Sequence, residues 1–287
     1  MINSTKPSIL STPFFLILWV LFQGCNQAEI KYTHFSGESS YLSILESNEV
    51  LLLYPRGDYA VDSLALLLET YDKAYAMAVE LSGREPLTSP QDTDKLPLAI
   101  VSTTCGPGCG RLGHKGIEIT KNTFDRIYNE FVVNGRQDHL FFYELGRNFW
   151  FYGENSGEAD WEAIHTGFAV FFRDLLVNEL QLHLAQINGV PYVKYMEDKQ
   201  NRFERFLAEA QAVDISWEEV KPIKSRYFPH SPFFWSLLWW ELYRKKGKEG
   251  VISAISRLRE QPPPGKEEVW FWFLLESGKP IDTNELY

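Results

Sequence analysis

Apolar residues follow three patterns along this chain: one N-terminal run, short runs bounded by turn residues, and long stretches at helical spacing. Val50-Leu51-Leu52-Leu53-Tyr54 ends at Pro55-Arg56-Gly57-Asp58 and predicts a strand. From about Tyr59 to Ser82, residues Leu64, Leu67, Leu68, Tyr71, Ala74 and Tyr75 recur at helix spacing, and Gly83 supplies the stop. Residues 84–95 read as a loop, Leu96–Thr103 as a second strand and Gly116–Thr120 as a third. Beyond Asn122 helical spacing dominates, near 123–133, 137–152, 159–180, 194–211, 231–246, 249–260 and 267–276. Pro222, Pro229, Pro232 and Pro262-Pro263-Pro264 mark breaks between these helices. The predicted class is α+β: a small mixed sheet with a backing helix over 49–136, then a mostly helical lobe over 137–287.

The N-terminal run has a different meaning. Lys6 precedes an apolar stretch from Ile9 to Phe22 that Ser11, Thr12 and Pro13 interrupt. Its unbroken part is shorter than the ~20 residues of a membrane span, so residues 1–24 read as a secretory signal. Gly24-Cys25 resembles the lipobox of bacterial lipoproteins. That resemblance implies a lipid on Cys25 and attachment to a membrane of the cell envelope; an uncleaved anchor or an ordinary signal peptide is the alternative. The polar, Ser-rich stretch 25–48 then reads as a tether.

Composition narrows the classes. Aromatic residues are 15% of the chain, with nine Trp, which excludes a disordered polypeptide. The net charge of -10, without a long basic run, excludes nucleic acid as a partner. Beyond Cys25 the cysteines are Cys105 and Cys109, flanking Gly106-Pro107-Gly108. Export favours a small disulfide here over free thiols or a metal, and His114 alone does not complete a zinc knuckle.

The segment His139 to Tyr152 carries the main candidate chemistry. Tyr143-Glu144-Leu145-Gly146-Arg147 stands where a zinc peptidase helix carries His-Glu-x-x-His, and His165-Thr166-Gly167-Phe168-Ala169 follows at the spacing of a second ligand helix. With the preceding order of strands and helix, this resembles the zincin superfamily of metallopeptidases, in its gluzincin branch. The resemblance implies a zincin-like fold in which Tyr143, Arg147 and Thr166 replace the zinc ligands. A phenol titrating near ~10, a permanent cation and a neutral hydroxyl make a poor zinc set, so no cofactor is expected. It also implies that Arg147 sits near the vacated zinc position, pairing with Glu144 or Glu162. Gly116, Ile117 and Glu118 would lie on an edge strand that accepts an extended chain.

Several residues keep other readings open. Glu144 is the possible general base if activity remains, and His165 joining Glu144 and Glu162, with Asp160 nearby in sequence, would be an atypical metal set. His114 is a candidate cleft residue, and His139 is first a helix-start residue. Glu144 paired with Glu162 or Asp160 would suit glycoside hydrolysis, with Trp150, Trp161, Trp235, Trp239 and Trp240 as a stacking surface; Trp235, Trp239 and Trp240 also fit core spacing. The leading expectation is an exported, lipid-anchored zincin-like domain that binds an extended peptide or cell-envelope polymer without cleaving it. An active hydrolase and a structural envelope lipoprotein are the alternatives.

Overall fold

The computed structural model describes residues 29–57, 59–88, 93–152, 161–211, 216–229, 231–261, 263 and 266–276. The signal segment, Cys25 and Asp160 lie outside them. The chain is α+β: a six-stranded mixed sheet and its helix, followed by a mostly helical region. The strands are β1 (Glu29–Thr33), β2 (Ser39–Glu46), β3 (Val50–Tyr54), β4 (Leu96–Val101), β5 (Gly108–Gly110) and β6 (Ile117–Thr120). Their order is β1-β2-β3-β4-β6-β5, with β3, β4 and β6 parallel and the remaining pairs antiparallel.

Strand alternation sets the two faces of this sheet. Val50, Leu52, Leu98, Ile100, Ile117 and Ile119 pack with Leu64, Leu67, Leu68 and Tyr71 of α1 (Val61–Ser82). Gly83, at φ 66°, ends α1 in the left-handed conformation that glycine adopts most readily. Leu53, Ala99 and Val101 face the other way and cluster with Tyr32 and Leu42. β4 is therefore buried at every position.

The stretch expected to be a tether is, from Glu29 onward, part of the sheet. Ile30 and Tyr32 alternate with polar neighbours in β1, as one-sided strands require, and the Ser-rich composition hid that period. The hairpin then curls back over the sheet. A flat sheet would hold β1 roughly 19 Å from β6, four strand spacings away, yet the Tyr32 hydroxyl donates to Glu118 Oε1 on β6 at 3.1 Å.

The helices that follow are α2 (Lys121–Asn134), α3 (Leu140–Asn148), α4 (Trp161–Glu179), α5 (Tyr192–Gln211), α6 (Trp217–Tyr227), α7 (Ser231–Glu260) and α8 (Glu267–Leu275). α3 is shorter than the periodicity predicts; the Asp138 carboxylate accepts the Leu140 N–H at its start. α6 contains Pro222, where the sequence predicted a break. The lost hydrogen bond is set against a Ser216 cap and the burial of Trp217, Val220 and Ile223. α7 is two helices joined at Gly247, whose φ of 65° and ψ of -169° break the ladder where a division was expected.

α4 lies at the centre of this region, packed on α3 and α7. Phe171 stacks on Trp239 with ring centroids 5.5 Å apart, and Trp150 lies 5.5 Å from Trp270. Trp235, Trp239 and Trp270 are fully buried, so they build the core and cannot serve as a sugar-stacking surface. One hydrophobic core runs from Val50 to Leu274 and joins the sheet region to the helices. At the α4–α7 crossing, a Cβ on Gly167 would lie 2.4 Å from Trp235 Cβ. Gly167→Ala is therefore expected to cost about 1–3 kcal/mol by overpacking, measured by urea unfolding. Leu66→Ala, on exposed surface, is expected to stay within about 0.5 kcal/mol of the parent.

Candidate functional site

The Tyr143–Arg147 motif meets the sheet at its β5 edge. A Cβ on Gly110 would lie 2.4 Å from the Glu144 carbonyl oxygen, and one on Gly108 would lie 3.1 Å from Leu140 Cδ2. Glycine at both positions lets α3 pack almost backbone to backbone on the strand. The Gly110 N–H donates to Glu144 Oε2 at 2.8 Å, and Arg147 Nε donates to the Gly110 carbonyl at 3.2 Å. Two side chains three residues apart thus grip both polar groups of one edge residue. The Gly113 N–H donates to the Arg147 carbonyl at 3.3 Å, and Asn148 Nδ2 donates to the carbonyls of Arg111 at 2.9 Å and Gly116 at 3.1 Å. Residues 110–116 are stitched to α3 along their length.

Glu144 is only 3% exposed. Burial pushes its carboxyl up to about 7, while Arg147 and the Gly110 N–H pull it down without matching that cost. Arg147 stands beside Glu144 as expected, with Nε 3.8 Å from Oε2, but its shorter contact is with the Gly110 carbonyl. The guanidinium is thus shared between the carboxylate and the strand. Glu162 is exposed at the start of α4 and makes no ion pair with Arg147. Tyr143, His165 and Thr166 are half-buried, with the His165 ring 6.3 Å from that of Trp150.

The residues at the motif positions do not fit zinc. Arg147 is a cation bonded to a backbone carbonyl, and Glu144 is bonded to a backbone N–H. Among the described residues no three His, Cys, Asp or Glu side chains are grouped to hold a metal ion.

The strand expected to line a ligand is not at the edge. β6 lies between β4 and β5, because the turn holding Cys105 and Cys109 doubles back and adds β5 outside it. Those cysteines form a disulfide, with Cα atoms 5.6 Å apart. Ile117 is buried towards α1, and a Cβ on Gly116 would lie 3.3 Å from the Phe35 ring. Glu118 is fully buried: its carboxylate accepts Tyr32 Oη, the Phe35 N–H at 2.7 Å and Thr104 Oγ1 at 2.7 Å. It latches the β1–β2 hairpin instead of facing a ligand.

His114 does line a cavity, of about 310 Å³, with Arg84, Leu87, Leu112, Trp150 and Phe151. The Arg84 guanidinium lies 3.5 Å over the Phe151 ring. Burial lowers the His139 imidazole pKa, and its charged neighbours are Asp138, Arg173, Arg126 and Asp174. The sequence reading missed Arg173 and Asp174, which are buried in α4. Two adjacent charges inside the apolar run Phe168–Val177 were the available signal.

No protein-family model matches the chain, and no curated protein resembles it significantly. Among the described residues no helix is long and apolar enough to cross a membrane.

A carboxyl whose folded pKa exceeds its unfolded value of 4.5 holds its proton more tightly when folded. Its contribution to stability is present below that value and is lost as pH rises towards about 7. Glu144→Gln removes this loss while keeping an acceptor for Gly110. Urea unfolding across that pH window is expected to show the variant gaining on the parent by on the order of 3 kcal/mol. Parallel profiles would show that Glu144 ionises normally.

Proposed function

We propose that this chain is an exported, lipid-anchored domain of zincin-like architecture that binds an extended peptide or cell-envelope polymer and does not cleave it. The observation that supports this most is the engagement of Glu144 and Arg147 with the Gly110 backbone. In a zinc peptidase the Glu at this position must reach a metal-bound water; here it serves as an acceptor for the sheet edge. The antiparallel β5 edge beside the motif helix, the sheet backed by α1 and the α3–α4 pairing also support a zincin-like reading. The chain ligand is placed at the cavity lined by Arg84, His114, Trp150 and Phe151, because the Gly110 edge groups are already taken. The Arg84 guanidinium, stacked 3.5 Å over the Phe151 ring, suits an acidic group on such a chain, while Trp150 is buried beneath it.

A second reading, a hydrolase, is favoured by one observation: a carboxyl at about 7 is poised for general acid–base work. Elemental analysis and turnover of casein and peptidoglycan separate the two. The binding reading expects no stoichiometric metal, no hydrolysis, and retention of peptidoglycan fragments or peptides that weakens about tenfold in Arg84→Ala. Stoichiometric zinc or hydrolysis, lost in Glu144→Gln, would establish the enzyme instead.

A further inference from the structure

Beyond the Glu144 site, α4 and α5 bury a second charge cluster. Arg173 Nη2 lies 2.7 Å from Asp174 Oδ1, and Lys199 Nζ donates to Asp174 Oδ2 at 2.9 Å. The Tyr192 hydroxyl donates to Asp174 Oδ1 and Arg173 Nη2 donates to the Tyr195 hydroxyl, each at 3.3 Å. The side chains of Arg173, Asp174 and Lys199 are 5%, 2% and 10% exposed, so two buried cations share one carboxylate. Burial works against ionised Asp174, but Arg173 and Lys199 outweigh it and hold the carboxyl below the usual range. The cluster therefore carries one unbalanced positive charge, which is costly away from water unless an anion approaches.

An opening lies beside it. Lys199 also lines a cavity of about 260 Å³, together with Tyr195, Asp198, Arg202, Phe228, Phe233 and Leu237, between α5, the start of α7 and the 187–190 turn. The ammonium is 5.1 Å from the Tyr195 ring centroid and 5.8 Å from that of Phe233. The one acidic wall residue, Asp198, is held by Lys194 at 2.7 Å. Arg202 makes no ion pair among the described residues. The lining thus offers positive charge at one side and apolar rings at the other, in a protein whose net charge is -10.

We propose that this cavity is a binding site for a small organic carboxylate with an aromatic or aliphatic body. Lys199 and Arg202 take the carboxylate, and Phe228, Phe233 and Leu237 hold the body. The volume falls below the roughly 300–1,000 Å³ of drug-sized sites, which limits the ligand to a small molecule. Arg173 acts through Asp174 and Tyr195 as a positioning residue. The proposal is independent of the zincin reading.

Calorimetric titration of the full exported chain with phenylacetate tests it, using phenylacetamide and acetate as controls. Phenylacetate is expected to bind and to weaken with added salt, and both controls to bind about tenfold more weakly or worse. Lys199→Met is expected to abolish binding. Because that change also removes a partner of buried Asp174, Arg202→Gln provides a milder test at an exposed position. It is expected to leave the melting temperature unmoved and weaken phenylacetate about two- to fivefold. Equal binding of the neutral amide, equal binding of acetate, no binding by folded protein, or an unchanged affinity in Arg202→Gln would each overturn the proposal.

Discussion

The contact of α3 with β5 at Gly110 is the constraint on which the rest of the site depends. With no side chain at 108 or 110, the helix backbone reaches the strand, and Glu144 and Arg147 are brought against a single peptide unit. A free strand edge is a template for unwanted pairing, and here α3 covers it. The same approach carries Asn148 to the carbonyls of Arg111 and Gly116 and sets Trp150 against the 112–114 turn. The cavity at the C-terminal end of the motif helix follows from that stitching.

Buried carboxylates in this fold are supported in different ways. Glu118 receives three neutral donors, one of them a backbone N–H, and fixes a hairpin. Asp174 faces two cations at close range. Glu144 has one backbone N–H and a guanidinium 3.8 Å away that is shared with a carbonyl. Its compensation is incomplete, so its proton is retained to about pH 7. Among the described residues Glu144 is the carboxyl that burial raises, and it is turned to the strand.

Local patterns made much of this legible. Helical spacing with a Gly stop located α1, the run Val50–Tyr54 gave β3, and the Cys105–Cys109 spacing pointed to a disulfide. Glu144 and Arg147 were recognisable as a pair because residues three apart share a helix face. What the pattern could not supply was long-range pairing. Gly108–Gly110 looks like a turn, and only its register against Ile117–Ile119 makes it the edge strand. The Ser-rich stretch hid β1 and β2, whose apolar residues are few and find their partners on β3 and β6. Asp174 and Lys199 are 25 residues apart and meet through helix packing that neither segment encodes alone.

The central claim is that Glu144 and Arg147 form a structural clamp on the Gly110 backbone. A crystal structure grown with excess zinc tests it most directly. The account predicts Glu144 Oε2 on the Gly110 N–H, Arg147 on the Gly110 carbonyl and no metal between α3 and α4. Zinc bound to Glu144, with Arg147 displaced from the strand, would contradict it.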